Sequence, residues 1–129
     1  MKHISFNPRF VNEAGNDLVP GKIHTIRQNF FFWKRFEGKE VALFTWEGKP
    51  YQKGSTHKVF CVKRIVGVQD FDFSIDRVFT TENKSPASIF KTLAKNDGFC
   101  DLHSFYQWFY YGGYKPGKMA ILHFTDFRY

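Results

Sequence analysis

Alternating apolar and polar residues indicate strands along the first two thirds of the chain and again at residues 118–127. Successive side chains of a strand point to opposite faces, so this alternation is typical of β structure with one buried face. The pattern predicts strands at residues 2–6, 41–46, 57–68, 71–75, 78–80 and 118–127. Residues 51–53 are expected to pair back after a turn at 47–50, and residues 8–20 to be irregular or briefly helical.

Helical spacing of apolar residues begins only after residue 85. Ser85 and Pro86 are expected to cap and start a helix, which stops at the turn sequence 96–98. Asp101 is expected to cap a second helix that ends at 112–113. Because strands and helices do not alternate, a doubly wound parallel sheet is excluded. The predicted class is α+β, mainly β: a small, mainly antiparallel β-barrel of about six or seven strands with two or three helices.

Length and charge suggest one basic domain. The 129 residues are expected to form a single domain, 1–129, large enough to bury a core. The net charge of +7 suits a polyanionic partner such as RNA, although a solvated basic surface has the same composition. Seventeen phenylalanines indicate an aromatic core. The aromatic run at 30–36 is either part of that core or a surface that stacks on a single nucleic-acid strand.

Other function classes find little support in the sequence. Cys61 and Cys100 are too few for a disulfide framework, no apolar run approaches the length of a membrane span, and the start lacks the apolar core of a signal peptide. We therefore expect a cytoplasmic protein without a membrane partner. The five histidines lack the spacing of a metal site, and no phosphate-binding glycine motif is present. No metal and no cofactor are expected.

The segment 21–27, Gly-Lys-Ile-His-Thr-Ile-Arg, is the densest cluster of chemical groups. It offers a cation at Lys22, a titratable ring at His24, a hydroxyl at Thr25 and a planar donor at Arg27. On an ideal strand Lys22 and Thr25 face opposite sides, and the segment is one more surface strand. In a bend or a helical turn they share a face and can form a site. The sequence leaves both arrangements open.

Asp97 is the second candidate, at the expected end of a helix. Asn-Asp-Gly is common turn chemistry, which is one interpretation. The other is a carboxylate at a cleft edge whose pKa the helix dipole raises, where it exchanges protons or pairs with Lys22.

Two separated pieces of the chain resemble one family. The segment 21–27 resembles the G-x-K-x-x-T-x-R signature of ASCH domains, in a compact form that keeps the lysine, threonine and arginine. The segment 93–99, Leu-Ala-Lys-Asn-Asp-Gly-Phe, followed by Leu102 and Phe105, is similar to that family's later A-x-x-D-G-F element. The last strand, preceded by Gly117 and Lys118, resembles the closing strand, so the likeness spans nearly the whole chain.

The resemblance implies a PUA-like β-barrel and a cleft beside Lys22–Arg27 that binds RNA or a nucleotide or nucleoside. One branch of small bacterial ASCH proteins hydrolyses N4-acetylcytidine with a lysine, a threonine and a glutamate. By resemblance, Lys22, Thr25 and Asp97 fall on these catalytic positions, the last with a side chain shorter by one methylene. Arg27 would hold a phosphate or stabilise an oxyanion, and His24 would stack on a base or face solvent.

Three functions follow as expectations. The first is binding of RNA or a nucleotide in the basic cleft. The second is an amidohydrolase in which Lys22 activates the hydroxyl of Thr25, and Asp97 protonates the leaving amine or orients Lys22. The third is an interaction protein without chemistry, which gains support if Lys22 and Asp97 point to opposite sides of the fold.

Overall fold

The computed structural model describes residues 1–73, 78–80, 86–112 and 117–129. The strands within these ranges are β1 (Lys2–Ser5), β2 (His24–Gln28), β3 (Glu40–Glu47), β4 (Thr56–Arg64), β5 (Gly67–Phe73), β6 (Val78–Thr80) and β7 (Gly117–His123). The helices are α1 (Phe30–Lys34), α2 (Pro86–Asn96) and α3 (Leu102–Tyr111), with a 3₁₀ helix at Pro8–Phe10. In these ranges no helix combines the length and the apolar character that a membrane crossing requires.

The described strands form two sheets. In the first, of order β1-β3-β4, β1 runs parallel to β3 and β3 runs antiparallel to β4. In the second, of order β2-β7-β5-β6, every neighbouring pair is antiparallel. One cluster of buried apolar side chains takes members from both sheets and from α2 and α3. The two sheets and the two helices therefore share one core, as the α+β class requires.

The predicted closed barrel, and with it the PUA-like barrel that the family resemblance implied, is wrong. The first strand joins one sheet through β3, whereas the second strand joins the other sheet through β7. Among the described strands no ladder links the two sheets, so each stays open. The alternation of apolar residues predicts which face of a strand is buried, but it does not specify the strand's partner.

The predicted long strand at 57–68 is two strands that belong to different sheets. The chain leaves the first sheet after Arg64 and enters the second at Gly67. Between them the Ile65 N–H donates to the Lys39 carbonyl at 2.9 Å, and the Val66 N–H donates to the His123 carbonyl at 2.8 Å. Both residues are apolar and β-branched, so the sequence pattern shows no break where the chain changes sheets.

Several other boundaries differ from the prediction. Residues 51–53 form a turn, in which Tyr51 has a φ of +61°, and do not pair back. The last strand ends at His123 and not at 127. The aromatic run contains α1, whose Trp33 is buried while Phe31 is 71% exposed. The predicted cap at Ser85, the end of the strand at 74–75 and the glycine at 113 lie outside the described residues.

Candidate functional site

The chain bends just before β2, and this bend places Lys22. Gly21 has a φ of +89°, a conformation that glycine adopts without a steric penalty. The Lys22 N–H donates to the Val19 carbonyl at 3.2 Å, and the strand begins only at His24. Lys22 therefore lies outside the strand's alternation, while Thr25 and Arg27 share one strand face. Of the two arrangements that the sequence left open, the structure has the bend, and Lys22 and Thr25 line the same cavity.

Asp97 is held by the end of α2. The Gly98 N–H donates to the Lys95 carbonyl at 3.1 Å and the Phe99 N–H to the Ala94 carbonyl at 3.0 Å. With Gly98 at a φ of +91°, these two bonds form a Schellman motif. A side chain at this glycine would meet Lys22 Cδ at 3.1 Å. The turn chemistry that the sequence indicated at Asp97 is therefore also what brings it against Lys22.

Lys22 and Asp97 meet as a buried ion pair. The Ile23 N–H donates to the Asn96 carbonyl at 2.9 Å, which fixes the bend against the end of α2. The Lys22 ammonium then donates to the Asp97 carbonyl oxygen at 2.6 Å and to its Oδ1 at 3.0 Å. Lys22 is 7% exposed and Asp97 is 4% exposed. The ammonium thus also caps the negative end of the helix, a structural role that explains part of its burial.

Burial and pairing act in opposite directions on the two groups. Burial lowers the pKa of the Lys22 ammonium below its usual range, and the Asp97 carboxylate only partly opposes this. Burial would raise the pKa of Asp97, but the charge of Lys22 and the nearby His24 ring outweigh it and keep that pKa lowered. The pKa of Asp97 is thus lowered, whereas the sequence interpretation expected the helix dipole to raise it. A carboxylate in this state suits an orienting role better than that of an acid.

His24 lies in the protein interior, behind Asp97. It is fully buried, and its Nδ1 lies 3.3 Å from Asp97 Oδ1 without the alignment of a good hydrogen bond. Its Nε2 is 2.5 Å from the hydroxyl of Tyr129, which in turn accepts a bond from Asn96 Nδ2 at 3.2 Å. These partners assign the proton of the neutral ring to Nδ1. In this position the ring supports the carboxylate and does not present a face for stacking on a base.

A second buried histidine stands beside the first. The rings of His123 and His24 meet edge to face with centroids 5.6 Å apart. His123 Nε2 donates to Gln69 Oε1 at 2.8 Å, which leaves its Nδ1 buried without a hydrogen-bond partner. Burial, with the neighbouring His24, lowers the pKa of His123 to about 3. The ring is therefore neutral at pH 7.

Arg27 holds the hydroxyl of Thr25. Its Nη1 donates to Thr25 Oγ1 at 2.7 Å, and its Nη2 donates to the Ser5 carbonyl at 2.5 Å. The guanidinium carbon also lies 4.9 Å from the centre of the Phe6 ring. The hydroxyl oxygen accepts the bond from Arg27, so its own O–H can still be donated to a base or a ligand. Thr25, the candidate nucleophile, is therefore positioned by Arg27, whose side chain also lines the cavity.

The site is a small cavity beside a larger groove. The cavity has a volume of about 30 Å³, and its wall includes Lys22, Thr25, Arg27, Asp97 and several aromatic rings. This is room for a water or a small substituent, whereas sites for whole drug-sized ligands usually exceed about 300 Å³. A groove of about 540 Å³ adjoins it, lined by Arg9, Ser104, Gln107, Trp108, Tyr111 and Gly112. Trp108 borders both spaces, and a nucleobase would fit only in the groove.

An exposed arginine stands over the aromatic wall between the two spaces. The guanidinium carbon of Arg9 lies 5.0 to 5.7 Å from the ring centres of Phe10, Phe99 and Trp108. The Lys22 ammonium lies 4.6 Å from the Phe10 ring on the inner side. Phe10 therefore contacts two cations, the exposed guanidinium of Arg9 and the buried ammonium of Lys22.

The structure thus brings together Lys22, Thr25, Arg27 and Asp97 around one cavity, and places His24 behind it. Sequence reasoning missed Arg9, Trp108, His123 and Tyr129. The helical spacing marked Trp108 as an apolar position, and nothing in the sequence around Tyr129 indicates its bond to His24. Among the described residues, no three His, Cys, Asp or Glu side chains are grouped closely enough to hold a metal ion.

Comparisons with models of protein families, with curated proteins and with solved structures find no match for this chain. The family resemblance of the segments 21–27 and 93–99 therefore remains a prediction from their residues.

Proposed function

We propose that the chain binds RNA, or a nucleotide or nucleoside, in the cleft formed by the cavity at Lys22–Arg27 and the groove beside it. One observation carries this proposal. Residues from the segments 21–27 and 93–99, far apart in the sequence, converge on a cavity whose cations and hydroxyl adjoin the groove bordered by Trp108 and Tyr111. Such a site offers stacking to a base and charge to a phosphate. The ASCH resemblance and the net charge of +7 support the same function.

The groove sets how a ligand would lie. A base beside Trp108 would have its phosphate near Arg9, and only its exocyclic group would reach the cavity. The affinity for a short RNA should then depend on salt, since phosphates bound by cations release counterions. A cytoplasmic location is part of the proposal and is supported by the unpaired thiols of Cys61 and Cys100.

A titration tests this function. The intrinsic tryptophan fluorescence of the protein would be followed against the four ribonucleoside monophosphates and a ten-nucleotide RNA, at 50 and 500 mM salt. Arg9→Met should weaken binding about tenfold or more. Lys39→Met, which removes an equal charge from an exposed position outside both spaces, should have little effect. Affinities that are equal at both salt concentrations, or equal losses in the two variants, would contradict the proposal.

A second candidate, hydrolysis of an acylated nucleoside, is favoured by the state of Lys22. Burial lowers its pKa, which is the direction that a general base toward the Thr25 hydroxyl requires. Thr25 Oγ1 would add to the acyl carbonyl, Lys22 would take the hydroxyl proton, and the C–N bond would break as the amine gains a proton. Water would then cleave the acyl-threonine ester. Asp97 would orient Lys22, and Arg27 would stabilise the oxyanion.

The third expectation, an interaction protein without chemistry, would be favoured if Lys22 and Asp97 pointed to opposite sides of the fold. Their side chains instead lie 3.0 Å apart, so this observation does not favour it.

A further inference from the structure

A second open groove lies along the first sheet. It has a volume of about 460 Å³ and runs over β1, β3 and the start of β4. Its walls are aromatic: Phe44 and His57 stack with ring centres 3.6 Å apart, and Trp46 lies 5.0 Å from Tyr51. Tyr51 is 87% exposed, on a turn where its φ is +61°. Phe44 is buried beneath His57, and the rings of Trp46, Tyr51 and His57 form the surface that is open to a flat ligand.

The charge of this groove is positive. Lys2 and Arg27 line it, and no aspartate or glutamate occurs among its described lining residues. A cationic ligand or a basic peptide would find no counter-charge there. Aromatic faces with adjacent cations match the bases and phosphates of an unpaired nucleic-acid strand, because every base has a face to stack and every phosphate a charge to neutralise.

Arg27 joins the aromatic groove to the cleft. The same side chain lines this groove and the cavity that holds Lys22 and Thr25. Its guanidinium spans from the Thr25 hydroxyl to the Ser5 carbonyl on β1. A strand that crosses this point can place a phosphate against Arg27, with one nucleotide on each side.

We propose that the aromatic groove binds bases of a single-stranded nucleic acid whose neighbouring nucleotide occupies the cleft. This rests on the proposed nucleotide-binding function and extends it, because it makes the partner a strand and not a free nucleoside. The stacking surface consists of Trp46 near the end of β3, Tyr51 in the turn that follows and His57 at the start of β4. The phenylalanines of the run at 30–36 are mostly packed against the core.

The experiment compares a strand with a single nucleotide. A fluorescein-labelled ten-nucleotide uridine strand would be titrated by anisotropy, and uridine monophosphate would be added as a competitor or titrated by calorimetry. Tyr51→Ala and Trp46→Ala should each weaken the strand about 5- to 150-fold, the usual range for loss of one stacked base. Neither should change the affinity for the mononucleotide. Phe31→Ala, which removes an exposed ring outside the groove, should change neither.

The outcomes separate the two proposals. If the strand binds equally well to the wild type and to both groove variants, or if a duplex of the same length binds better than the strand, the groove proposal is overturned. Mononucleotide binding that persists in that case leaves the cleft function standing. Strand binding that depends on Tyr51, together with no mononucleotide binding, would support stacking in the groove but overturn the cleft function, and with it the placement of the neighbouring nucleotide in the cleft. Because Tyr51 is an exposed turn residue, its variant remains informative even if Trp46→Ala fails to fold.

Discussion

Lys22 and Asp97 are 75 positions apart in the chain, and their side chains form a buried ion pair of 3.0 Å. The pair joins the bend before β2 to the end of α2, and it forms one side of the cleft. Removing one partner of such a pair leaves the other charge buried without compensation, which costs about 3–5 kcal/mol.

We therefore expect Lys22→Met to lower the free energy of unfolding by about that amount, as measured by urea denaturation at pH 7. The double variant Lys22→Met/Asp97→Asn should recover part of the loss, because no unpaired charge remains. Additive losses in the double variant would show that the two side chains do not interact in solution. Lys53→Met, at an exposed position, serves as the control and should change stability by less than about 0.5 kcal/mol.

Gly98 ends α2 in a conformation that favours glycine, and it packs directly against the side chains of Lys22 and Phe10. Gly98→Ala should be destabilising for two reasons. The φ of +91° is strained for alanine, and the added Cβ would lie 3.1 Å from Lys22 Cδ and 3.2 Å from the Phe10 ring. Gly38→Ala provides a matched control, since Gly38 has a φ of +84° and open space where the Cβ would be. We expect a cost of about 1 kcal/mol for Gly38→Ala and about 2–4 kcal/mol for Gly98→Ala. Equal costs for the two glycines would mean that Lys22 yields without strain.

The buried histidines make stability depend on pH. The pKa of His123 is about 3 in the folded protein, against 6.5 for an ordinary histidine. As the pH falls below 6.5 the unfolded chain takes up the proton first, so stability is complete above that pH and decreases towards pH 3. His24, whose pKa burial also lowers, contributes in the same direction. Urea midpoints should therefore be lower at pH 5 than at pH 7.

The variant His123→Gln should reduce that difference, since glutamine can still donate to Gln69 and takes up no proton. His57→Gln, at an exposed position, is the control and should leave the difference unchanged. If His123→Gln keeps the full loss of stability at pH 5, another group carries the pH dependence.

Substitutions of Thr25 distinguish a binding function from hydrolysis. N4-acetylcytidine would be incubated with the protein, and release of cytidine followed by chromatography. If the second candidate function is correct, Thr25→Val should abolish turnover, because it removes the nucleophilic oxygen but keeps the shape of the side chain. Thr25→Ser should retain part of it. Turnover that survives in Thr25→Val would rule out the threonine mechanism, and an absence of turnover in the wild type would leave binding as the function.

Parts of this site follow from local rules, and parts depend on contacts between distant segments. Strand alternation places Thr25 and Arg27 on one face, and the helix-stop sequence at 96–98 fixes where Asp97 stands. The bend at Lys22 depends on the Ile23–Asn96 hydrogen bond, which no local pattern contains. The same limit explains the missed partnership of His24 with Tyr129. In the fold, the exchange of sheets at Ile65 and Val66 is invisible to periodicity, and it decides that the strands form two open sheets.

Amide NMR tests most directly whether the cleft at Lys22–Arg27 is the ligand site, because it locates a bound ligand residue by residue. Uniformly ¹⁵N-labelled protein would be titrated with the four ribonucleoside monophosphates and with N4-acetylcytidine up to millimolar concentration. At least one of them should shift the backbone amides of Thr25, Arg27 and Gly98, and the indole signal of Trp108, in a saturable way. If no ligand shifts these signals, or if saturable shifts occur only elsewhere, the cleft is not the ligand site.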